Sequence, residues 1–252
     1  MDGVVIIPTY NERDNIAALV RRILALPLNL HVIVIDDNSP DGTGHIIEQL
    51  ATEYEGVYAI HRGSKLGLGS AYIAGFKLGL DLGAERLLTM DADFSHNPAY
   101  IPDLINLAAH YHITIGSRYM VGGGVENWGL HRRLLSLGAN AIARHLLGLN
   151  VSDCTAGFRC YRREVLLTID LDQIFSNGYS FLIEMIFECQ RKGFLIGETP
   201  IIFVDREQGA SKISGREIFK AINTVLRLAT IKVKLNLDPD AIAFPDEADP
   251  LV

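Results

Sequence analysis

The chain has 252 residues, 48% hydrophobic and 21% charged, with a mean hydropathy of +0.19, which is enough apolar material for a sizeable core and excludes the disordered regime. Its 23 Lys and Arg against 30 Asp and Glu give a formal charge of −7, and this excludes nucleic acid as the main partner, since phosphate-backbone binding needs a broad basic footprint. The longest stretch without a formal charge, residues 104–117, holds His110 and His112 and falls short of the ~20 apolar residues of a membrane span.

The opening Met1-Asp2-Gly3 has no basic run, so no signal peptide is expected and the cytosol is the default compartment. Val4 to Pro8 then reads as a strand, and Ile16, Leu19, Val20, Ile23 and Leu24 recur at helical spacing behind Asn15. Val32 to Ile35 is a second strand, followed by the turn Asp36 to Gly42 and a helical stripe from Ile46 to Tyr54. The alternation continues with strand Val57 to His61, helix Gly69 to Leu82, strand Arg86 to Asp91, helix Tyr100 to His110 and strand Ile113 to Ser117. Strands apolar on both faces and separated by helices predict a mostly parallel sheet covered by helices on both sides.

The later pattern is weaker. Met120 to Gly129 reads as a glycine-rich loop, Arg132 to Leu147 as a helix and Phe158 to Arg162 as a short strand. Helix Ser180 to Lys192, one strand from Phe194 to Val204 through Pro200, and helix Gly215 to Lys234 complete the set. Residues 1–237 are expected to form one domain, and 238–252, with five acidic residues and no basic ones, a loose tail. Cys154, Cys160 and Cys189 include no C-x-x-C and read as buried thiols.

Charge is uneven along this acidic chain. Residues 118–163 hold seven arginines against Glu126 and Asp153, net +5, and residues 206–234 hold seven basic against two acidic residues, again net +5. Such segments predict that the second half holds an anion. In an open parallel sheet, ligands bind beyond the carboxyl ends of the strands, and polar residues cluster there: Pro8-Thr9-Tyr10-Asn11-Glu12, Asp36-Asp37, Asp91-Ala92-Asp93 and Gly116-Ser117-Arg118. Asp91-x-Asp93 at a strand end suits a hard divalent cation shared with a diphosphate, with helix capping as the bland alternative. For Asp36-Asp37, either a capping pair or a nucleoside contact fits. Gly67-Leu68-Gly69 imitates a dinucleotide fingerprint but has Tyr72 where the third glycine belongs, which discounts NAD.

Together Ile6 to Glu12, Val34 to Gly42, Met90 to Asp93, Gly116 to Tyr119, and Phe203 to Arg206 with Gly209-x-Ser211-Lys212 resemble glycosyltransferase family 2. Within it they resemble the dolichol-phosphate (polyprenol-phosphate) mannose synthases. The resemblance implies a nucleotide-diphosphosugar transferase fold (GT-A, Rossmann-like), GDP-mannose as donor, Mg²⁺ or Mn²⁺ as cofactor and a polyprenol or dolichol monophosphate as acceptor. It implies that Pro8, Tyr10, Glu12, Ile35 and Asp37 hold guanosine, and that Asp91, Ala92 and Asp93 hold metal and diphosphate. Ser95 stands where some members carry a metal-ligating Gln, which implies a third ligand whose shorter hydroxyl needs a closer approach or a water. Arg118, Arg206 and Lys212 would hold phosphates, with Asp93, Arg118, Arg206 and Arg133, or its neighbour Arg132, nearest the reacting groups.

A phosphomonoester with a second pKa of about 6 needs no general base near neutral pH, whereas an alcohol acceptor would. The resemblance is to the type without membrane helices, which implies a membrane-anchored partner subunit or peripheral contact at a cytoplasmic membrane face. On 215–234, Phe219, Ile222, Leu226, Ala229 and Val233 share one side and Arg216, Lys220, Arg227 and Lys234 another. The apolar side either meets a membrane or packs on its own domain. The rival functions are a UDP-glucose-dependent glucosyltransferase of the same family, a catalytically silent sugar-nucleotide binding subunit and a sugar-nucleotide nucleotidyltransferase. For the last, no glycine-rich triphosphate loop follows the first strand.

Overall fold

The protein is described from a computed structural model covering residues 1–205 and 215–237, with side chains of the last helix described from 219 to 233. Arg206, Lys212 and the expected tail 238–252 lie outside the described residues. The strands are β1 (Gly3–Thr9), β2 (Leu30–Asp36), β3 (Val57–His61), β4 (Arg86–Thr89), β5 (Ile113–Ser117), β6 (Gly124–Glu126), β7 (Arg159–Arg162), β8 (Ile196–Pro200) and β9 (Ile202–Val204). The helices are α1 (Ile16–Leu24), α2 (Thr43–Glu53), α3 (Leu68–Asp81), α4 (Ile101–Leu107), α5 (Leu130–Leu147), α6 (Arg163–Thr168), α7 (Tyr179–Arg191) and α8 (Gly215–Leu237).

Seven strands form one sheet in the order β3-β2-β1-β4-β7-β5-β8. All run parallel except β7, which is antiparallel to both β4 and β5. Residues of alternate parity enter two cores. Val4, Ile6, Ile33, Ile35 and Leu87 pack with α3 and α7, while Val5, Ile7, Val32, Val34 and Leu88 pack with α1, α2 and α4. Burial on both faces is why these strands read as unbroken apolar runs. Helix α3 lies very close to the sheet: a methyl group at Gly75 would overlap Ile6 Cγ2, and one at Gly79 would stand 2.7 Å from Leu87 Cδ2.

Three expectations need correction. The strand expected over Phe194 to Val204 is two strands: edge strand β8 tolerates Pro200, whose nitrogen faces away from β5, Ile201 N–H makes the last bond to Ser117 O (3.0 Å), and the chain then leaves β5. Ile201 is buried, and β9 pairs instead with β6, a strand inside the expected 120–129 loop. The helix expected from Tyr100 is preceded by a 3₁₀ turn, Pro98–Tyr100, that begins at Pro98 and is capped by the Asn97 side chain. The short helix α6 carries too few residues for a periodic signal.

Antiparallel β7 positions much of the site. Its first residue, Arg159, pairs with Thr89 of β4 and Ile115 of β5, so the segment 153–158 leading into it arrives at the carboxyl edge of the parallel strands. A parallel β7 would deliver that segment to the opposite edge.

Candidate active site

The loops after β1 and β2 are stapled together. The backbone N–H groups of Asn11, Glu12 and Arg13 donate to Ser39 Oγ (2.9 Å), Thr43 Oγ1 (3.0 Å) and Asp41 Oδ2 (3.2 Å). Asp36 is buried in this turn, accepting from Ser39 N (3.0 Å) and Thr9 Oγ1 (3.3 Å). Burial works against charge on Asp41, but hydrogen bonds from Thr43 and Arg13 hold its carboxyl below the usual range. The two acidic neighbours therefore divide the work: Asp36 builds the turn, while Asp37 pairs with Arg62 and accepts from Gly67 N (3.3 Å). The Tyr10 ring lies under the Lys65 ammonium, 3.8 Å from its centroid. Glu12 accepts from Asn15 Nδ2 at 3.0 Å, and Pro8 is half-buried. Ile35 brings no side-chain surface to the cleft, since it is fully buried and its carbonyl accepts from Thr9 Oγ1 (3.1 Å).

Asp91, Ala92 and Asp93 follow β4. Asp91 N–H donates to His96 Nδ1 (3.1 Å), and the buried His96 ring stacks on Phe158 at 5.1 Å. Burial lowers the His96 pKa, which keeps the ring neutral and Nδ1 an acceptor. Tyr72 Oη donates to Asp91 Oδ1 at 3.4 Å. Asp93 Oδ1 accepts from Ser95 N (3.1 Å) and Ser95 Oγ (2.5 Å), so the buried Ser95 hydroxyl orients Asp93 from behind. Among the described residues no group of three or more His, Cys, Asp and Glu could hold a metal. Two carboxylates one residue apart still fit Mg²⁺ or Mn²⁺, because such ions take one or two carboxylates and complete their shell with substrate phosphates and water.

The cationic side is built from partners far apart in sequence. Arg118 grips Asp153 through Nε to Oδ2 (2.7 Å) and Nη2 to Oδ1 (2.8 Å), and Nη2 also donates to Thr155 Oγ1 (2.7 Å). Asp153 is fully buried, and its own N–H donates to Glu198 Oε1 (3.0 Å). Burial disfavours both charges, but their pairing outweighs it, holding the Asp153 carboxyl below and the Arg118 guanidinium above the usual values. Arg132 pairs with Asp205 and lies over Trp128, 4.2 Å from its centroid, whereas Arg133 is exposed. Neighbours on a helix are 100° apart, so only one of the pair can face Trp128. Arg132 Nε and Trp128 Nε1 are both buried atoms with no hydrogen-bond partner among the described residues.

Three arginines of the first basic segment are struts. Arg159 is fully buried and donates to the carbonyls of Ala156, Leu182 and Cys154. Arg162 donates to the carbonyls of Ala108 and Ala109, and Arg163 to those of Leu80 and Ala84. The net +5 of that segment thus overstates the charge facing the cleft. Sequence reasoning also missed Asp153 and Trp128, neither of which stands beside an apolar strand end, and Arg62, which directly follows β3.

Residues 4–169 match the profile of glycosyl transferase family 2. The chain belongs to that family. Among family 2 relatives, a polyprenol monophosphomannose synthase of Mycolicibacterium smegmatis is 47% identical over 221 residues, 87% of this chain and 83% of that protein. An undecaprenyl-phosphate mannosyltransferase of Micrococcus luteus is 44% identical over 227 residues, 90% and 93% of the two chains. Glucosyl-3-phosphoglycerate synthase from Mycobacterium tuberculosis, solved with Mn²⁺, UDP and glucosyl-3-phosphoglycerate, superposes with a TM-score of 0.66 at 19% identity, over 90% of this chain and 80% of that one. Mannosyltransferase PcManGT from Pyrobaculum calidifontis, solved with GDP-Man and Mn²⁺, gives a TM-score of 0.55 at 14% identity, over 97% and 76%. The last two likenesses are of fold, and they bear out the expected α/β GT-A architecture.

Proposed function

We propose that this family 2 chain transfers mannose from GDP-mannose to a polyprenyl monophosphate, giving polyprenyl phosphate β-mannose and GDP. The named activities of relatives at 47% and 44% identity support the sugar and the acceptor class. One observation carries the choice of an anionic acceptor: the buried Arg132 Nε and Trp128 Nε1 donors, which have no partner among the described residues. A buried donor without a partner costs about 1–3 kcal/mol, and a phosphate oxygen would relieve it.

In this reading Pro8, Tyr10, Glu12, the Ile35 backbone and Asp37 bind the nucleoside. Asp91 and Asp93, with Ala92 between them, face the diphosphate. Ser95 serves as the support of Asp93. Mg²⁺ or Mn²⁺ held by the two carboxylates would offset charge on the departing diphosphate. Arg118 and Arg132, together with Arg206 and Lys212, gather the phosphates of donor and acceptor. A phosphate oxygen of the acceptor attacks the anomeric carbon, its bond to the β-phosphate oxygen breaks and GDP leaves. With a second pKa of about 6 the acceptor arrives deprotonated, and no protein base is used.

A lipid acceptor also implies work at a membrane face. Among the described residues no helix is long and apolar enough to cross a membrane. Helices α5 and α8 pack together, and Leu130, Leu134, Ile142, Phe219, Ile222 and Leu226 project outward, each more than half exposed. Helix α8 turns Thr224, Val225 and Leu228 inward; of the apolar stripe weighed in the sequence, Ala229 packs on the domain while Phe219, Ile222, Leu226 and Val233 are exposed. Peripheral attachment through these two helices follows as part of the proposal.

The test crosses GDP-mannose, UDP-glucose and GDP-glucose with short and long polyprenyl phosphates, with and without EDTA, and follows labelled lipid. Mannolipid formed from GDP-mannose and lost in EDTA is expected. Faster product from UDP-glucose, or donor binding without transfer, would overturn the assignment. Co-flotation with liposomes should weaken on Leu134→Asp and Phe219→Asp.

A further inference from the structure

Arg62 begins the loop after β3 and is almost wholly covered, its side chain 7% exposed beside an Asp37 side chain at 9%. Its fork is fully engaged. Nε and Nη2 pair with Asp37 Oδ1, Nη1 donates to Ser70 Oγ (2.7 Å), and Nη2 also donates to Gly67 O (3.0 Å). The Arg62 N–H donates to Asp36 O at 2.9 Å, which ties the loop back to β2. Gly67, at φ +98°, donates to Asp37 Oδ2 and is packed so tightly on Asn177 that a Cβ there would lie 2.6 Å from its amide. The same loop carries Lys65 over Tyr10.

A buried ion pair is weak support for stability, because desolvation offsets much of the attraction. Its geometry is the informative part. Arg62 occupies one lone pair on Asp37 Oδ1 and Gly67 N–H one on Oδ2. Together they fix the carboxylate plane, and each oxygen retains acceptor capacity. A fixed carboxylate with both oxygens able to accept matches a base that presents two adjacent donors, as guanine does with N1–H and its 2-amino group. Uracil offers one donor between two acceptors, and hypoxanthine lacks the 2-amino group.

We propose that Arg62 is a positioning residue for donor recognition: it locks Asp37 so that the carboxylate selects a nucleobase with two adjacent donors. The inference rests on the reading above that Asp37 meets the nucleoside, and the test separates the two. Affinities of GDP, IDP and UDP are measured by calorimetry on the full chain, as wild type, Arg62→Gln, Arg62→Lys and Asp37→Ala, with melting temperatures and steady-state kinetics alongside. Wild type should bind GDP about tenfold or more tighter than IDP, the discrimination a two-point contact gives. Arg62→Gln should bring GDP and IDP within about twofold and raise the GDP-mannose KM, leaving kcat at saturating donor and the acceptor KM within twofold.

Arg62→Lys keeps the charge without the fork, so it should stay folded with a smaller loss of melting temperature than Arg62→Gln and still lose most of the GDP over IDP preference. That variant decides the matter if Arg62→Gln does not fold. Wild-type discrimination in Arg62→Lys, or in a folded Arg62→Gln, overturns the role of Arg62 while Asp37→Ala abolishes it. An unchanged GDP to IDP ratio in Asp37→Ala overturns the Asp37 reading itself, and equal binding of GDP and UDP by wild type overturns the guanosine donor.

Discussion

The two halves of the cleft are held together differently. On the acidic side three carboxylates are fixed by groups two or three residues away, Asp93 by Ser95, Asp36 by Ser39 and Asp41 by Thr43, while Asp37 and Asp91 also take bonds from the more distant Arg62, Gly67 and Tyr72. On the cationic side the partners are distant, with Arg118 and Asp153 separated by 35 residues and Arg132 and Asp205 by 73. The acidic side is a set of local turns at strand ends, whereas the cationic side exists only after the sheet closes around antiparallel β7 and the chain switches sheets at Pro200. Damage to the first should therefore act on chemistry, and damage to the second on chemistry and folding together.

The largest effect is expected from Asp93→Ala. Its turn partner Ser95 stays in place, so the fold should hold while lipid mannosylation falls about a thousandfold or more, the scale of a removed electrostatic stabiliser. Labelled-donor turnover beside circular dichroism checks this. Retained turnover would dissolve the distinction between the two halves.

Asp153→Asn should strike both properties. Leaving Arg118 buried without its counter-charge costs about 3–5 kcal/mol. The Asp153 pKa is depressed in the folded state, so the pair's contribution is complete above the ordinary aspartate value and is lost as pH falls through the lower folded-state value. The gap in unfolding free energy between variant and wild type should be full at pH 7 and shrink below about pH 4. Urea titrations across that range measure it.

This division also explains what could be read from the sequence. Apolar runs on both sheet faces and polar residues at their ends disclosed the strands, the helices between them and the acidic cluster. The direction of β7 leaves no mark in Arg159-Cys160-Tyr161-Arg162, so neither the arrival of Asp153 at the site nor the strut role of Arg159 could be foreseen. Composition could not separate arginines that cap carbonyls from those facing a ligand, because both look like positive charge. The three thiols were legible as buried, and burial pushes Cys154 and Cys160 up to about 12. Native protein should resist alkylation at pH 8 until denatured.

A smaller loss tests the shared scaffold. Gly75→Ala gains about 1 kcal/mol of helix propensity, but the methyl overlaps the fully buried Ile6. Overpacking costs about 1–3 kcal/mol, so a net loss of about 1 kcal/mol is expected from chemical denaturation, with kcat unchanged.

The finest test lies within α5, where two adjacent arginines share charge and sequence context but not surroundings. Arg132 stacks on Trp128, pairs with Asp205 and keeps a buried N–H without a partner among the described residues, while Arg133 is exposed. If placement and not local charge sets the contribution, Arg132→Ala should raise the acceptor KM about tenfold or more, the value of one charge-assisted hydrogen bond. Trp128→Phe retains the aromatic face under the guanidinium and deletes only the indole donor, so a rise of about threefold to tenfold is expected, with donor KM unaltered. Arg133→Ala should fall within twofold of wild type at moderate salt, since an exposed cation is screened within about 10 Å. Equal losses from Arg132→Ala and Arg133→Ala would mean that the acceptor senses the helix as a diffuse positive field, and the cationic half of the cleft would then need no long-range architecture at all.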